Sequence, residues 1–239
     1  MAIDLEELDY RHTPLGELIL RRRTSLSGVE VYEVKLDGNH LMSSLVNESE
    51  IALARLGLTG LHASNLDVVV GGLGLGYTAE AALAWPGLRS LLVIEYLSAV
   101  VAWHRDGRVP LGPTLTGDPR CRIVAGDFFA LAAALGRKLD PRSPGRRFHA
   151  ILLDIDHSPR SLLHPRHRSF YGPEGLQRLT DNLRPGGVFA LWSADAPDKD
   201  FQQTLADVFD HAQAHAVEFY NPLLDLDEVN TIYVARTAE

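Results

Sequence analysis

Three acidic residues of this sequence stand at the ends of short apolar segments. They are Glu95, Asp127 and Asp154. At such positions Glu95 can accept hydrogen bonds from both hydroxyls of a ribose, Asp127 can bond the amino group of an adenine, and Asp154 can take a proton from an attacking amine or hydroxyl. The alternatives are structural: Glu95 and Asp127 can also serve as acids at the starts of helices, and Asp154 can bond the backbone of its own turn.

A glycine-rich segment precedes these acids and is the clearest chemical signal in the chain. It follows an apolar run at residues 68–70, and its glycines are Gly71, Gly72, Gly74 and Gly76. Glycines between a buried strand and a helix allow positive φ and let backbone amides approach a ligand, so we predict that they bind a cofactor. Their spacing differs from the G-x-G-x-x-G of dinucleotide-binding proteins, which disfavours a nicotinamide cofactor. Such a turn can also serve strand-to-helix packing alone.

The segment after the fourth apolar run carries two carboxylates and an imidazole. They belong to Asp154, Asp156 and His157. We predict that this group is catalytic, with Asp154 orienting and deprotonating the acceptor and with Asp156 or His157 assisting. The histidines of the following loop lack the spacing of a zinc site, so no metal is predicted. A hard cation held between Asp154 and Asp195 is a minor alternative.

These residues require a sheet whose strand ends meet at one edge. From Leu66 onward, apolar runs of strand length alternate with helical segments. The alternation predicts a Rossmann-like α/β fold, in which a mostly parallel sheet carries helices on both faces and the last strand runs antiparallel. The predicted strands are residues 66–70, 90–94, 122–125, 149–153, 187–192, 214–220 and 231–235. The predicted helices begin near Tyr77, Leu97, Phe128, Pro173 and Asp198.

The first part of the chain has a different pattern, with apolar and polar residues alternating over short segments. The predicted elements are strands at 15–21 and 29–37, turns at 24–28 and 37–38, and a helix from 47 to about 56. Gly57 is expected to end this helix. We therefore predict a small N-terminal β-strand domain over residues 1–46 and a cofactor-binding and catalytic domain over residues 47–239.

The composition excludes several classes of protein. The chain has 239 residues, 46% of them hydrophobic, and a single cysteine, which is typical of a globular protein without internal disulfides. Its net charge of −8 disfavours nucleic-acid binding, although residues 137–168 hold eight Lys or Arg against three Asp or Glu and form either a solvated loop or a wall for an anionic group. No apolar run approaches about 20 residues, and no signal peptide is evident, so we expect no membrane contact and a cytoplasmic location.

The order of these motifs resembles the spermidine synthase family, aminopropyltransferases built on the class I methyltransferase fold. Gly71-Gly72-Leu73-Gly74-Leu75-Gly76 stands where the family has G-G-G-D-G-G. Glu95 matches its ribose-binding acid, Asp127 its adenine-side acid, and Asp154 the first Asp of D-S-[ST]-D-P, where the family places its proton acceptor. The resemblance spans residues 13–234 and also implies a homodimer associated through the N-terminal strands.

Two departures from the family pattern bear on the chemistry. Gly74 stands where the family has an Asp that holds the amine of the aminopropyl donor. S-adenosylmethionine carries its own carboxylate, which an Asp would repel and backbone amides would suit. The second departure is that apolar residues around Ile51 replace the Tyr-His pair with which the family contacts its polyamine. The sequence therefore favours methyl transfer from S-adenosylmethionine to a small-molecule acceptor.

Two alternatives stay open at the level of the sequence. The first is an aminopropyltransferase of the spermidine synthase type that uses decarboxylated S-adenosylmethionine, with Glu50 or Asp195 supplying acidic groups at the acceptor site. The second is a nucleotide-binding scaffold that has kept the fold without the chemistry.

Overall fold

The structure of the chain is a computed structural model. The residues that it describes are 5–24, 28–62, 64–136, 139–222 and 225–239. Most of the turn predicted at 24–28 lies outside these ranges. Within them, no helix is both long enough and apolar enough to cross a membrane.

The first part of the chain forms an antiparallel sheet of four strands in sequence order. The strands are β1 (Leu5–Thr13), β2 (Gly16–Thr24), β3 (Glu30–Leu36) and β4 (Asn39–Ser43). The alternating pattern predicts β2 and β3 because their apolar side chains point to one buried face. It does not predict β1, an edge strand whose side chains are exposed or half-buried along its whole length.

The second sheet has seven strands. They are β5 (Leu66–Gly71), β6 (Leu88–Glu95), β7 (Cys121–Ala125), β8 (Phe148–Leu153), β9 (Leu183–Ser193), β10 (His211–Asn221) and β11 (Leu226–Arg236). Their order is β10-β11-β9-β8-β5-β6-β7. β5 through β9 pair in parallel, whereas β11 is antiparallel to both β9 and β10. This arrangement confirms the predicted Rossmann-like α/β sheet with an antiparallel last strand.

Short helices connect these strands. They are α1 (Glu48–Leu58), α2 (Tyr77–Leu83), α3 (Ser98–Arg105), α4 (Gly112–Gly117), α5 (Phe128–Ala133), α6 (Pro173–Thr180), α7 (Lys199–Ala206) and a 3₁₀ helix (Pro165–Phe170). The five helix starts predicted after the first domain are confirmed to within one residue. The sequence pattern does not predict α4, because its Gly and Pro residues are typical of a turn.

The prediction that Gly57 ends the first helix is wrong. α1 continues to Leu58, and Gly57 lies at its contact with the second sheet. A Cβ at this position would lie 2.5 Å from Leu152 Cδ2 and 2.9 Å from Ala190 Cβ. The glycine therefore allows α1 to approach β8 and β9 closely.

Replacing Gly57 with Ala is expected to lower the free energy of unfolding by about 1–3 kcal/mol, because the added methyl group must displace packed side chains. Urea unfolding followed by circular dichroism measures this effect. Gly117→Ala is the matched control, since a Cβ there has nothing within 4 Å. An equal loss in both variants would contradict the close-contact explanation.

The two sheets share one hydrophobic core. The cluster joins Leu18 and Leu36 of the N-terminal sheet to Leu53 of α1 and to Val70 and Leu152 of the second sheet. A second cluster covers the opposite face of the larger sheet. The N-terminal sheet is therefore packed against the carboxyl-end side of the larger one. The domain boundary at residues 46 and 47 stays a prediction.

Candidate functional site

A cavity of about 340 Å³ lies at the carboxyl ends of β5, β6, β7 and β8. Two groups of side chains within its lining are distinguished by position. The β7 half consists of Tyr96, Asp127, Phe129, Arg166 and His167. The β11 half consists of Glu50, Trp192, Glu228 and Asn230. Asp154 and the glycine-rich segment lie between the two halves, where parallel α/β sheets bind their ligands.

The glycines after β5 adopt conformations that other residues rarely take. Gly72, Gly74 and Gly76 have φ values of 94°, 50° and 101°. A Cβ at Gly72 would lie 1.9 Å from the carbonyl oxygen of Asp154, so the loop can cross β8 there only as glycine. Gly71 is equally confined, because its Cβ would meet the side chains of Leu153 and Phe128 at 2.8 Å.

Met42 of β4 faces the loop at Gly74. A Cβ on Gly74 would lie 2.9 Å from Met42 Sδ, and both residues line the cavity. A thioether therefore fills the space beside Gly74, and the loop presents no carboxylate there. This contact depends on the packing of the N-terminal sheet against the larger one.

Glu95 ends β6 and holds the glycine-rich loop in place. Its carboxylate accepts the backbone N–H of Leu73 at 2.9 Å and that of Leu97 at 2.7 Å. Burial raises the pKa of Glu95, and the surrounding backbone amides oppose this rise. The side chain still lines the cavity, so it is both an anchor for the loop and a candidate partner for a ligand.

Asp127 lines the cavity and has the capping role predicted as its structural alternative, while its contact with an adenine stays a prediction. Its Oδ1 accepts the N–H of Ala130 at 3.1 Å, which caps α5, and its Oδ2 lies 3.3 Å from an Arg166 nitrogen. The Arg166 guanidinium also lies over the ring of Tyr96, at 5.1 Å from its centroid. The carboxylate therefore lines the β7 half with both oxygens already engaged.

Asp154 and Glu50 form a pair of carboxylates in the cavity wall. Burial raises the pKa of Asp154 to about 6, against the effect of a 2.8 Å hydrogen bond from Thr78 Oγ1. Burial, with the neighbouring Asp154 carboxylate, raises the pKa of Glu50 to about 7. Among the described residues, neither carboxylate has an Arg, Lys or His in ion-pair contact. Two like charges held away from bulk water favour retention of a proton between them.

Ser49 fixes the position of Glu50. Its hydroxyl donates to Glu50 Oε2 at 2.9 Å and accepts from Trp192 Nε1 and Asn230 Nδ2, each at 2.9 Å. These donors come from β9 and β11, which connects the carboxylate pair to the far side of the sheet. Glu228 adds a further carboxylate to the β11 half.

The structure does not bring the remaining predicted catalytic residues together. His157 lines the cavity, whereas Asp156 is 1% exposed and is not part of the cavity wall. Asp156 instead bonds the side chains of His167 and Tyr171. Asp195 is exposed and lies outside the wall. No three His, Cys, Asp or Glu side chains of the described part of the chain are placed to hold a metal ion.

Comparison with known proteins identifies the fold. No protein-family model matches this sequence. A spermidine synthase solved in complex with the transition-state analogue AdoDATO is similar over 97% of this chain and 74% of its own, with a TM-score of 0.74 and 17% identity. The chain has the spermidine synthase fold. The spermidine synthase from Thermotoga maritima is similar over 97% of this chain and 73% of its own, with a TM-score of 0.72 and 16% identity.

The residues present fit a donor of the adenosyl type. Gly72 and Gly74 let the loop lie close to the Asp154 carbonyl and to Met42, and the cavity beside the loop holds an acid at the end of β6 and another after β7. A glycine cradle followed by acids at successive strand ends is suited to a nucleoside with a chain attached.

Proposed function

We propose that this protein transfers an alkyl group from an adenosyl sulfonium donor to an amine, with aminopropyl transfer as the preferred reaction. The observation that carries the proposal is the Glu50–Asp154 carboxylate pair. It lines the cavity without a cationic partner among the described residues. Partly buried carboxylates are stabilised by a cation, and an ammonium group is the matching organic ligand.

The charge of the β11 half supports an amine over other acceptors. Glu50 and Glu228 line this half, and Asp154 adjoins it. A phenolate or carboxylate acceptor would bring a further negative charge against these groups, which raises the free energy of binding. A diamine can place one ammonium group at the pair and the other toward Glu228.

Asp154 is assigned the role of proton acceptor. An ammonium has no lone pair, so it must lose a proton before its nitrogen can attack a carbon. The raised pKa of Asp154, about 6, makes it a stronger base than an ordinary carboxylate and still leaves it mostly ionised at neutral pH. Thr78 keeps the carboxylate oriented through the hydrogen bond to Oδ2.

The donor supplies a carbon activated by the sulfonium. When the C–S bond breaks, the electron pair of that bond stays on sulfur, and the amine nitrogen forms the new bond to the carbon. The chain has to hold the two reactants in line and exclude water. Glu95 is assigned to the ribose and the glycine loop to the chain attached to the sulfonium.

Methyl transfer from S-adenosylmethionine is the second candidate. The contact between Gly74 and Met42 favours it, because this part of the loop offers no carboxylate to the ammonium group of an aminopropyl donor. In the preferred reaction, Glu50 has to hold the donor's ammonium, while Asp154 serves the acceptor. The predicted homodimer and cytoplasmic location stay predictions.

Calorimetry with the two donors, followed by mass spectrometry of amine mixtures, tests the proposal. We expect tighter binding of decarboxylated S-adenosylmethionine and a product amine that has gained an aminopropyl group from it. Gain of a methyl group from S-adenosylmethionine would support the second candidate instead. Transfer only to phenols or carboxylates would overturn the assignment of an amine, and donor binding without any transfer would identify a scaffold.

A further inference from the structure

Asp156, His167 and Tyr171 form a buried hydrogen-bonded cluster beside the β7 half. His167 Nδ1 lies 2.9 Å from Asp156 Oδ1 and 3.0 Å from Oδ2. Tyr171 donates its hydroxyl to Oδ2 at 2.8 Å, and the N–H of Leu163 donates to Oδ1 at 2.7 Å. Burial and the adjacent Asp156 raise the pKa of Tyr171 well above its ordinary value, so Tyr171 keeps its proton and stays a donor.

The hydrogen bonds of the cluster decide where the proton of His167 lies. Asp156 receives three donors and acts as an acceptor, so Nδ1 of His167 carries a hydrogen. In the neutral ring, Nε2 is then an acceptor with a free lone pair. Nε2 has no hydrogen-bond partner among the described residues, although the His167 side chain is only 5% exposed. Because His167 lines the cavity, this acceptor can pair with a ligand that donates a hydrogen bond.

The position of His167 indicates which ligand this is. Its ring stacks on Phe129 at a centroid distance of 4.0 Å, and both rings line the cavity. Asp127, the residue that the sequence assigns to an adenine amino group, has its oxygens engaged by Ala130 and Arg166. Each Asp127 oxygen therefore already has one partner, whereas Nε2 of His167 is an acceptor in this half without a hydrogen-bond partner among the described residues.

We propose that His167 Nε2 accepts a hydrogen bond from the 6-amino group of the donor's adenine, with Asp156 and Tyr171 as positioning residues. This inference rests on the proposed function. It makes His167 a specificity residue: a 6-amino purine offers a donor to Nε2, whereas a 6-oxo purine presents an acceptor and leaves two lone pairs facing each other. It also gives Asp156 a role, holding His167 in position, that needs no contact between Asp156 and the acceptor substrate.

Calorimetry with 5′-methylthioadenosine and 5′-methylthioinosine tests this assignment. We expect the unmodified protein to bind the 6-amino nucleoside about 10- to 100-fold more tightly. His167→Phe retains the stacking on Phe129 and is expected to reduce this preference to about twofold or less. His167→Gln supplies an amide oxygen as acceptor and is expected to restore part of it. His211→Phe, on the exposed strand β10 and outside the cavity wall, is the control and should leave the preference unchanged.

The outcomes separate the two proposals. If the unmodified protein binds both nucleosides equally, or if His167→Phe keeps the full preference while remaining folded, the assignment of His167 is overturned and the proposed function stands. If the unmodified protein binds neither nucleoside, the proposed function fails and the assignment fails with it. The first comparison uses the unmodified protein alone, so its result does not depend on whether a variant folds.

Discussion

Replacing Asp154 with Asn is expected to lower the turnover number about 10²- to 10⁴-fold while leaving the affinity for the donor unchanged. The amide can still accept the hydrogen bond from Thr78 Oγ1, but it cannot take the proton of an ammonium acceptor. The acceptor would therefore bind without being activated. Single-turnover kinetics with the preferred amine, together with calorimetry of the donor, measure the two quantities separately.

Asp200→Asn is the matched control for this substitution. Its side chain is 89% exposed and pairs only with Arg160 at the surface, so turnover should not change. A loss of donor affinity in Asp154→Asn equal to its loss of turnover would show that the residue is structural. Full activity in Asp154→Asn would exclude it as the proton acceptor.

The acids on one side of the cavity can be predicted from the sequence, because its apolar runs show where the strands end. Glu95 ends β6, whereas Asp127 and Asp154 follow β7 and β8, and parallel strands bring their carboxyl ends to one edge. Hydrophobic periodicity is therefore enough to place these three acids near one another. The glycine loop belongs to the same set, since it directly follows β5.

The residues on the other side of the cavity are brought there by long-range contacts, which a local sequence pattern does not predict. Glu50 reaches Asp154 because Gly57 lets α1 lie against β8 and β9, and a helix pattern alone indicates neither contact. The same holds for Met42, which meets Gly74 only because the N-terminal sheet packs over the loop. Both residues come to the site from the region predicted as a separate unit or from its connecting helix.

The sequence predicts a catalytic Asp156 in the segment after β8, but the structure places this residue outside the cavity wall. Asp156 lies two residues beyond Asp154, where the chain has left β8 and strand alternation no longer sets side-chain direction, and it bonds His167 and Tyr171 instead of lining the cavity. His167 reaches the cavity because the 3₁₀ helix folds back over α5 onto Phe129. Histidine spacing predicts metal sites, but it carries no information on a stacking partner so far away in the chain.

The second prediction with a large expected effect concerns pH. Turnover is expected to rise as the pH increases through about 6, because burial raises the pKa of Asp154 to about 6 and this residue has to lose its proton before it can act as a base. In Glu50→Gln the like charge beside Asp154 is removed. Burial, not Glu50, raises the pKa of Asp154, so the acidic limb of the pH–rate profile should stay near pH 6, whereas a second inflection from Glu50 near pH 7 should disappear.

The free energy of unfolding should also depend on the protonation of these two carboxyl groups. It should fall over the pH range in which turnover rises. Both carboxyl groups have higher pKa values in the folded protein than their ordinary values of 3.8 and 4.5, so the folded state binds protons more tightly than the unfolded state. Stability is therefore greatest at low pH with respect to these groups, and it declines as the pH rises from about 4 through about 7. Glu50→Gln avoids the cost of ionising one of them.

Urea unfolding of Glu50→Gln at two pH values measures this effect. At pH 8 the variant should be more stable than the unmodified protein by roughly 1–2 kcal/mol, and at pH 4 the difference should nearly vanish, because a protonated Glu and a Gln are similar in charge and size. A difference of the same size at both pH values would mean that Glu50 acts through packing or through its bond with Ser49. If Glu50→Gln stabilises the fold and lowers turnover, Glu50 is retained for its chemistry at the expense of stability.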